Sequence, residues 1–254
     1  MKTLLFAVNS KQKKFFAQIK NHMGSDTVLV ESKRLLIPSL KALRYLPKAD
    51  LSAPVVLKRD DFLAKRGRWL PAWLLEPVSR LEAAWNLLRY FRVITPEYGQ
   101  LMVWNGILFR QAIAVEIAKL HGMRVVYAET GLLPGRITVD PKGVNYYNSA
   151  PRERHFFEAY RCDKPLPGTL IPRNPKNAGK FASARKIALP ERYVFIPFQV
   201  DYDTQILTHS PWIRDMRMLF DQIEAISREV PELHFLFKEH PSSIKSYPDL
   251  HARA

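Results

Sequence analysis

The chain of 254 residues lacks the features that would assign it to several common protein classes. Its single cysteine, Cys162, cannot form an internal disulfide and fits a reducing compartment. No apolar run approaches the roughly 18 residues of a membrane-spanning helix. The apolar stretch from Thr3 to Val8 is too short for the core of a signal peptide. We therefore expect a cytoplasmic protein that is soluble or peripheral to a membrane.

Motifs of the common nucleotide, metal and hydrolase sites are missing as well. The chain has no GxxxxGK[ST] phosphate loop, no GxSxG turn, no HExxH pair and no zinc-type spacing of Cys and His. Gly122 and Gly131 do not form a dinucleotide-binding fingerprint. Any functional site must therefore consist of polar residues that the fold brings together.

Acidic residues are few relative to basic ones. The 39 Lys and Arg against 24 Asp and Glu give a formal net charge of +15 and a pI of about 9.9. Such a charge favours anionic partners, which include nucleic acid, anionic lipid headgroups and phosphorylated or carboxylated substrates. A nucleic-acid-binding function rests on this charge alone, because no recognisable nucleic-acid module is present.

Basic charge is concentrated in residues 33–68, where apolar residues are interleaved with Lys and Arg. Followed by Trp69 and Trp73, this segment has the composition of an interfacial membrane segment. The alternative is an amphipathic helix that packs on the core and leaves its basic side chains in solvent. The next helix is predicted over residues 73–91, and its apolar face should pack in the core. The residues of that face are Leu74, Val78, Leu81, Trp85 and Leu88.

Short apolar strands alternate with helical patterns, which predicts an α/β fold with a doubly wound parallel sheet. A proline-rich basic stretch, residues 164–190, is typical of a linker, and a second αβ unit follows it. The predicted domains are a Rossmann-like N-terminal domain, residues 1–163, and a partial C-terminal nucleotide-sugar-binding domain, residues 191–254. Because about 65 residues are few for a domain of this class, we expect either a truncated chain or a reduced family member.

Polar residues cluster where the predicted strands end. The strand at residues 125–128 runs into Glu129 and Gly131, and no regular element is expected for about 20 residues after it. Gly131 permits either a sharp turn or the close approach of a ligand. In the second domain a polar loop, residues 199–210, follows one strand, and residues 238–243 follow the next. Ligands of open α/β sheets bind beyond the carboxyl ends of the strands, so we expect a site there.

These clusters combine carboxylates with groups that bind phosphate. A pair of carboxylates suits sugar chemistry, in which one moves a proton and the other attacks or stabilises an oxocarbenium-like centre. Lys238, His240 and Ser242 suit a phosphate, to which they can donate hydrogen bonds. The alternatives are an ordinary surface loop at Glu129 and a structural role for His240.

Five motifs, in this order, resemble those of the bacterial capsule polysaccharide synthesis family, the retaining β-Kdo glycosyltransferases. They are WNG (104–106), ExGLLP (129–134), ITVDPKGVNYYNSAPR (137–152), PFQVDYDTQILTHSPW (197–212) and KEHP (238–241). The resemblance spans residues 101–241, and the segment before it carries little of the likeness. The family continues past its His-Pro pair with a Ser/Thr-rich motif that completes the nucleotide pocket, and this chain ends before that motif.

The resemblance implies a GT-B-like architecture of two Rossmann-like domains with the donor cleft between them. It implies CMP-Kdo as the donor substrate, no metal, and no cofactor. The acceptor would be an anionic lipid or a lipid-linked glycan. The protein would be cytoplasmic and peripheral to the inner membrane, with no nucleic acid as a partner.

By position, the resemblance implies Asp203 as the nucleophile and Glu129 as the acid/base residue, with Asp201 and Asp140 as competing nucleophiles. The implied donor-binding residues are Gln199, Gln205, His209, Ser210, Lys238, His240, Pro241 and Ser242. Further cleft residues are Asn105, Gly106, Gly131, Asp140 and Asn145. Asp201 and Asp203 should lie on the same side if their loop is extended, so alternation does not choose between them. Without the resemblance, either aspartate would be expected to cap the helix near Pro211 or to pair with Arg214.

Three other functions remain open from the sequence. The chain could use another CMP-activated sugar that resembles sialic acid. It could be a truncated, non-catalytic member of the family, or a basic protein that binds nucleic acid. Turnover of CMP-Kdo separates the transferase from these alternatives, and strongly salt-dependent binding to nucleic acid would favour the last.

Overall fold

The computed structural model describes residues 1–34, 37–67, 71–131, 133, 136–163, 165, 168–169 and 188–253. Trp69 and most of the predicted linker lie outside the described residues. The chain divides into two compact units, the first formed by Met1–Arg59 with Leu70–Pro172 and the second by Asp60–Trp69 with Arg173–Ala254. The boundaries drawn from the sequence group residues 60–69 with the first domain instead.

The first unit contains a five-stranded sheet with the strand order β2-β1-β3-β4-β5. Its strands are β1 (Thr3–Ala7), β2 (Thr27–Glu31), β3 (Gln100–Trp104), β4 (Arg124–Thr130) and β5 (Ile137–Asp140). The first four are parallel, and β5 runs antiparallel to β4. The predicted α/β fold with a mostly parallel sheet is confirmed. The strand order reverses between β1 and β3, as it does in a doubly wound sheet.

Helices cover both faces of this sheet. The helices of this unit are α1 (Ser10–Met23), α3 (Ala72–Tyr90), α4 (Phe109–Leu120) and the exposed α5 (Arg154–Ala159), and a 3-10 helix spans Leu40–Lys48. A further helix, α2 (Ser52–Arg66), begins in the first unit and ends in the second. Successive strand residues point to opposite sides of a sheet. Leu4 and Phe6 of β1 are accordingly buried in one core cluster with residues of α3 and α4. Leu5 and Ala7 are buried in another cluster with Phe16 of α1.

The face of α3 that its sequence pattern predicts as core is the exposed one, so that prediction was wrong. The predicted core residues Leu74, Val78, Leu81 and Trp85 are exposed, and Leu88 is half-buried. The buried residues are Leu75, Ser79, Ala83, Asn86, Leu87 and Tyr90. Because α3 carries apolar residues on two opposite faces, periodicity alone does not decide which face packs against the sheet.

The second unit contains a two-stranded parallel sheet formed by β6 (Tyr193–Pro197) and β7 (His234–Lys238). Its helices are α6 (Thr204–His209), α7 (Met216–Ser227) and α8 (Pro248–His251). They share a core of their own, which includes Phe198, Met216, Phe220, Tyr247 and Leu250. The carboxyl ends of the two strands lie side by side, since Pro197 pairs with Lys238.

Two loops that the sequence predicts as irregular contain regular elements. β5 forms a hairpin with β4, in which Thr130 pairs with Ile137 and Tyr127 pairs with Asp140. α6 lies within the predicted polar loop, residues 199–210. Both elements are short, with 4 residues in β5 and 6 in α6, so neither carries enough periodicity to be recognised from the sequence.

Candidate functional site

Asn105 and Glu129 meet at the carboxyl edge of the first sheet. Asn105 directly follows β3, Glu129 is the penultimate residue of β4, and the two strands are parallel neighbours. The strand order reverses between β1 and β3, and open α/β sheets bind their ligands outside the strand ends at such a point. The structure therefore brings together two residues that the sequence analysis assigned to a cleft.

Two donors orient the carboxylate of Glu129. Its Oε2 accepts a hydrogen bond from Nδ2 of Asn105 at 3.1 Å, and its Oε1 accepts one from the N–H of Thr130 at 2.8 Å. Asn105 is fixed in turn, because its Oδ1 accepts a hydrogen bond from the N–H of Ile107 at 3.1 Å. A carboxylate has about four acceptor positions. The half-buried Glu129 therefore has a defined orientation and still has acceptor capacity for a ligand.

The backbone at Asn105 and Gly106 takes a conformation that most residues avoid. Both residues have positive φ, at 64° and 85°. A Cβ at Gly106 would lie 2.3 Å from Cδ1 of the Tyr127 ring, so a side chain does not fit there without a shift of that ring. Residues in such conformations are concentrated at functional sites. The turn after β3 is thus shaped to hold the Asn105 amide against Glu129.

Gly131 closes the hairpin between β4 and β5. Its N–H donates to the carbonyl oxygen of Arg136 at 2.8 Å. A Cβ at this glycine would lie 3.0 Å from the carbonyl carbon and oxygen of Arg136. Of the two roles that the sequence suggests for Gly131, the turn is observed, and the group that approaches closely is the protein's own backbone.

Asp140 organises the loop that follows β5. Its Oδ1 accepts from the N–H of Lys142 at 2.7 Å and of Gly143 at 3.1 Å, and its Oδ2 accepts from the N–H and the hydroxyl of Ser149 at 2.9 and 2.6 Å. Burial alone would raise the pKa of Asp140, but these four hydrogen bonds outweigh burial and lower the pKa to about 2. Both oxygens are engaged by the loop, so the geometry does not favour Asp140 as a nucleophile.

Asn145 lies in that same loop, and no hydrogen bond joins it to Glu129 among the described residues. It is exposed, has a φ of 54°, and begins a short 3-10 turn, Asn145–Tyr147. Among the predicted cleft residues of the first unit, the structure therefore brings Asn105 and Gly106 to Glu129. It uses Asp140 and Asn145 to shape the neighbouring loop.

A second polar cluster follows β6 and β7. Gln199 lies two residues beyond β6, and its Oε1 accepts a hydrogen bond from the N–H of Val200 at 2.9 Å. Lys238 ends β7, and its side chain is exposed. Because these strands are parallel neighbours, the loops after them emerge at the same edge of the small sheet.

The loop after β7 presents a histidine with a defined tautomer. Nδ1 of His240 accepts a hydrogen bond from the N–H of Ser242 at 3.1 Å. In the neutral ring the proton then resides on Nε2, which can donate to a ligand. The hydroxyl of Tyr202 donates to the carbonyl oxygen of Ser242 at 3.1 Å, which connects this loop to the one after β6. Pro241 lies between His240 and Ser242.

Asp203 caps α6 with one of its two carboxylate oxygens. Its Oδ1 accepts from the N–H of Gln205 at 2.8 Å. Within the described part of the chain, Oδ2 accepts no hydrogen bond. The helix that Asp203 caps is thus α6, and Asp215 caps the helix after Pro211. The expected pairing with Arg214 is not made, since that side chain donates to the carbonyl oxygen of Ser210 at 3.5 Å.

Asp201 is buried and fully engaged within the fold. Its Oδ1 accepts from the N–H of Met216 at 2.9 Å, and its Oδ2 accepts from Nζ of Lys245 at 2.7 Å and from the hydroxyl of Tyr247 at 3.2 Å. An extended loop, the condition under which Asp201 and Asp203 would lie on the same side, is not present. Instead, the N–H of Asp203 donates to the carbonyl oxygen of Val200 and closes a turn.

The remaining predicted donor-binding residues lie on or beside α6. Nε2 of Gln205 is buried and finds no acceptor among the described residues. Burial lowers the pKa of His209, which is therefore neutral at pH 7. Ser210 ends the helix. A buried amide without an acceptor is costly in free energy, and a polar ligand at this position would satisfy it.

Three residues that were not predicted from the sequence shape the second cluster: Tyr202, Lys245 and Tyr247. Tyr202 lies within one of the five motifs, so its position was a usable signal. Burial, followed by the charge of Asp201, raises the pKa of Tyr247, which stays protonated and donates to that carboxylate. Lys245 and Tyr247 are more than forty residues from Asp201 in sequence, and no local pattern links them.

Among the described residues, no group of three or more His, Cys, Asp or Glu side chains is arranged to hold a metal ion. In the same part of the chain, no helix combines the length and apolar character needed to cross a bilayer.

Comparison with known proteins gives one partial relative. Protein FixF of Sinorhizobium fredii (strain NBRC 101917 / NGR234) is 34% identical to this chain over 170 residues, which are 65% of this chain and 40% of FixF. The match thus spans about two fifths of the length of that curated relative. No family model matches the chain. No solved structure matches it.

Proposed function

We propose that this protein is a retaining glycosyltransferase that transfers Kdo from CMP-Kdo to a lipid or glycan acceptor in the assembly of capsule or another surface polysaccharide. The observation that carries the proposal is the orientation of Glu129 by Asn105 and Thr130 at the carboxyl edge of a doubly wound sheet. Asn105 and Glu129 belong to two of the five motifs that resemble the β-Kdo transferases. In this proposal the two units have a GT-B-like architecture, with the acceptor on the first unit and the donor on the second.

The polar cluster after β6 and β7 supports the donor half of the proposal. Nε2 of His240 can donate to a phosphate oxygen, because Nδ1 is already an acceptor for Ser242. The exposed ammonium of Lys238 adds positive charge beside it. The buried amide of Gln205 offers a further donor, which has no acceptor within the described part of the chain. A nucleotide phosphate is the kind of ligand that these donors suit.

Retention at the anomeric carbon takes two displacements. In the first, a carboxylate oxygen of Asp203 bonds to the anomeric carbon while the bond from that carbon to the phosphate oxygen breaks, and CMP leaves with the electron pair. In the second, Glu129 takes the proton of the acceptor hydroxyl, whose oxygen displaces Asp203 from the anomeric carbon. Asp203 is thereby returned to a carboxylate. Its Oδ2, which makes no internal hydrogen bond among the described residues, suits this role.

The test is release of CMP from CMP-Kdo with phosphatidylglycerol vesicles as the acceptor. Three proteins are compared: the wild type, Glu129→Gln, and Glu232→Gln as a matched control at an exposed glutamate before β7. Glutamine keeps the shape of Glu129 but cannot take a proton, so transfer should fall by about 10²–10⁴-fold. The control variant should react at the wild-type rate.

Three other outcomes of this assay would change or contradict the proposal. Release from a CMP-activated sialic acid but not from CMP-Kdo would assign the chain to a different donor. No release from either donor by the folded wild type would contradict the proposed activity. A wild-type rate in Glu129→Gln, with an unchanged circular dichroism spectrum, would remove Glu129 from the mechanism.

A further inference from the structure

The outer face of α3 exposes a row of large apolar side chains. Leu74, Val78, Leu81 and Trp85 are spaced by three or four residues and lie on one side of the helix. Their exposed fractions run from 36% for Leu74 to 72% for Leu81. The opposite side of the same helix is the one buried in the core. We propose that this row, together with Trp73, docks on the surface of a lipid bilayer with anionic headgroups. We name these five residues the α3 face.

A further exposed apolar residue lies near the C-terminal end of α3. The N–H of Ser39 donates to the carbonyl oxygen of Leu88 at 2.8 Å, which brings the start of the 3-10 helix beside the C-terminal end of α3. Leu40, the first residue of that helix, is 77% exposed. From Leu74 to Trp85 the helix rises by about 16 Å. The surface therefore has the length and shape of a helix that lies in the plane of a membrane interface.

The charge around the α3 face matches an anionic surface. Residues 33–59 and 70–92, which belong to the first unit, contain ten Lys or Arg and three Asp or Glu. The two carboxylates of α3 are both in ion pairs, Glu76 with Arg80 at 2.8 Å and Glu82 with Lys58 at 3.2 Å. No carboxylate of the helix is therefore left to repel anionic headgroups, and the excess of basic residues attracts them.

The composition of the face favours a bilayer over a second copy of the chain. Tryptophan is suited to the membrane–water interface, because its ring is apolar while its N–H stays hydrogen-bonded. Trp73 and Trp85 stand near the two ends of the row, with exposed fractions of 76% and 48%. A dimer through this face would bring two strongly basic surroundings together, and like charges oppose such an association.

Vesicle co-sedimentation tests the proposal with the whole chain and needs no sugar donor, so its outcome is independent of the proposed transferase activity. Vesicles of phosphatidylcholine alone are compared with vesicles of equal parts phosphatidylcholine and phosphatidylglycerol. The wild type should bind the anionic vesicles more tightly, and salt should weaken this binding. The double variant Leu81→Gln/Trp85→Gln should bind them at least about tenfold more weakly, because two large apolar side chains no longer enter the interface.

Trp212→Gln is the matched control, since Trp212 is 58% exposed but belongs to the second unit. It should bind anionic vesicles as the wild type does. Equal binding of the double variant and the wild type would overturn the proposal, as would equal binding to neutral and anionic vesicles. Sedimentation velocity tests whether the α3 face binds a second copy of the chain. A wild-type dimer that the double variant dissociates, without vesicle binding by the wild type, would assign the face to self-association instead.

Discussion

Replacing Asp140 by asparagine should destabilise the loop that connects β5 to α5. The carboxylate accepts four hydrogen bonds, and an asparagine amide would turn its NH₂ group toward the N–H of Ser149, so that two donors face each other. The pKa of Asp140 is lowered from its usual 3.8 to about 2. Since one pKa unit corresponds to about 1.4 kcal/mol, the ionised form contributes at most about 2.5 kcal/mol. We expect Asp140→Asn to lose about 1.5–2.5 kcal/mol at pH 7.

The pH dependence follows from the direction of this shift. A carboxyl group with a lower pKa in the folded state stabilises the fold above its unfolded pKa, and this stabilisation is lost as the pH falls through the folded pKa. For Asp140 the loss should occur between about pH 5 and pH 2. Asparagine does not titrate in this range, so the difference in unfolding free energy between wild type and variant should shrink as the pH falls.

Urea unfolding measured by tryptophan fluorescence gives this difference at each pH. Hydrogen exchange of the amides of Lys142, Gly143 and Ser149 shows where in the structure stability is lost, because these amides should exchange faster in the variant. Asp163→Asn, at an exposed aspartate whose side chain has no partner among the residues that the structure describes, is the matched control and should have no effect. Equal stability of Asp140→Asn and wild type at neutral pH would refute the reasoning. So would a difference in stability that stays constant down to about pH 3.

Two further outcomes are expected from the second unit. His240→Ala should weaken CMP binding by about ten- to a hundredfold in titration calorimetry, through loss of one charge-assisted hydrogen bond. His234→Ala, at an exposed histidine that begins β7, is its control, and equal affinities of wild type and His240→Ala would make His240 a structural residue. Incubation with CMP-Kdo without acceptor should give a Kdo adduct on the peptide that contains Asp203, detected by mass spectrometry and lost in Asp203→Asn. An adduct that persists in that variant, or that maps to the peptide with Asp140, would exclude Asp203 as the nucleophile.

The four parallel strands of the first sheet could be predicted because each contains a short run of apolar residues. Leu4 to Ala7 and Leu101 to Val103 are buried on both faces, so their burial is visible as uninterrupted hydrophobicity. β5 could not be recognised in this way, because Thr138 and Val139 are exposed and the strand is defined by its pairing with β4. The hairpin depends on contacts between strands, which a local pattern does not record.

For α3, hydrophobic periodicity does not identify the face that packs in the core. Its outward row and its buried row are both apolar, and a helix with one apolar face is the only case that the pattern resolves. The side with Ala83, Leu87 and Tyr90 is the one buried in the first core, where the Tyr90 ring packs edge-on against Phe6 of β1. Because α3 has two apolar faces, its core face was predicted wrongly. For the same reason, the exposed apolar face needs a partner outside the core, and we propose a membrane surface.

At the candidate site, the sequence could place Asn105, Glu129 and His240 at strand ends, but it could not orient them. Their orientation comes from backbone groups: the Thr130 N–H at Glu129, and the Ser242 N–H at His240. The order of strands along a sheet brings such residues together, and the local turn then decides which atom faces outward.

The two aspartates after β6, Asp201 and Asp203, differ in how many of their carboxylate oxygens accept hydrogen bonds within the fold. Asp201 holds the first N–H of α7 together with Lys245 and Tyr247, so both of its oxygens are bound within the second core. Releasing an oxygen for bond formation would leave the buried N–H of Met216 or the buried hydroxyl of Tyr247 without its acceptor, at a cost of about 1–3 kcal/mol. Asp203 caps a helix of 6 residues with one oxygen and can present the other without breaking a hydrogen bond of the described fold. In an extended chain, alternation would place Asp201 and Asp203 on the same side. The turn at Val200 gives the two carboxylates different surroundings instead.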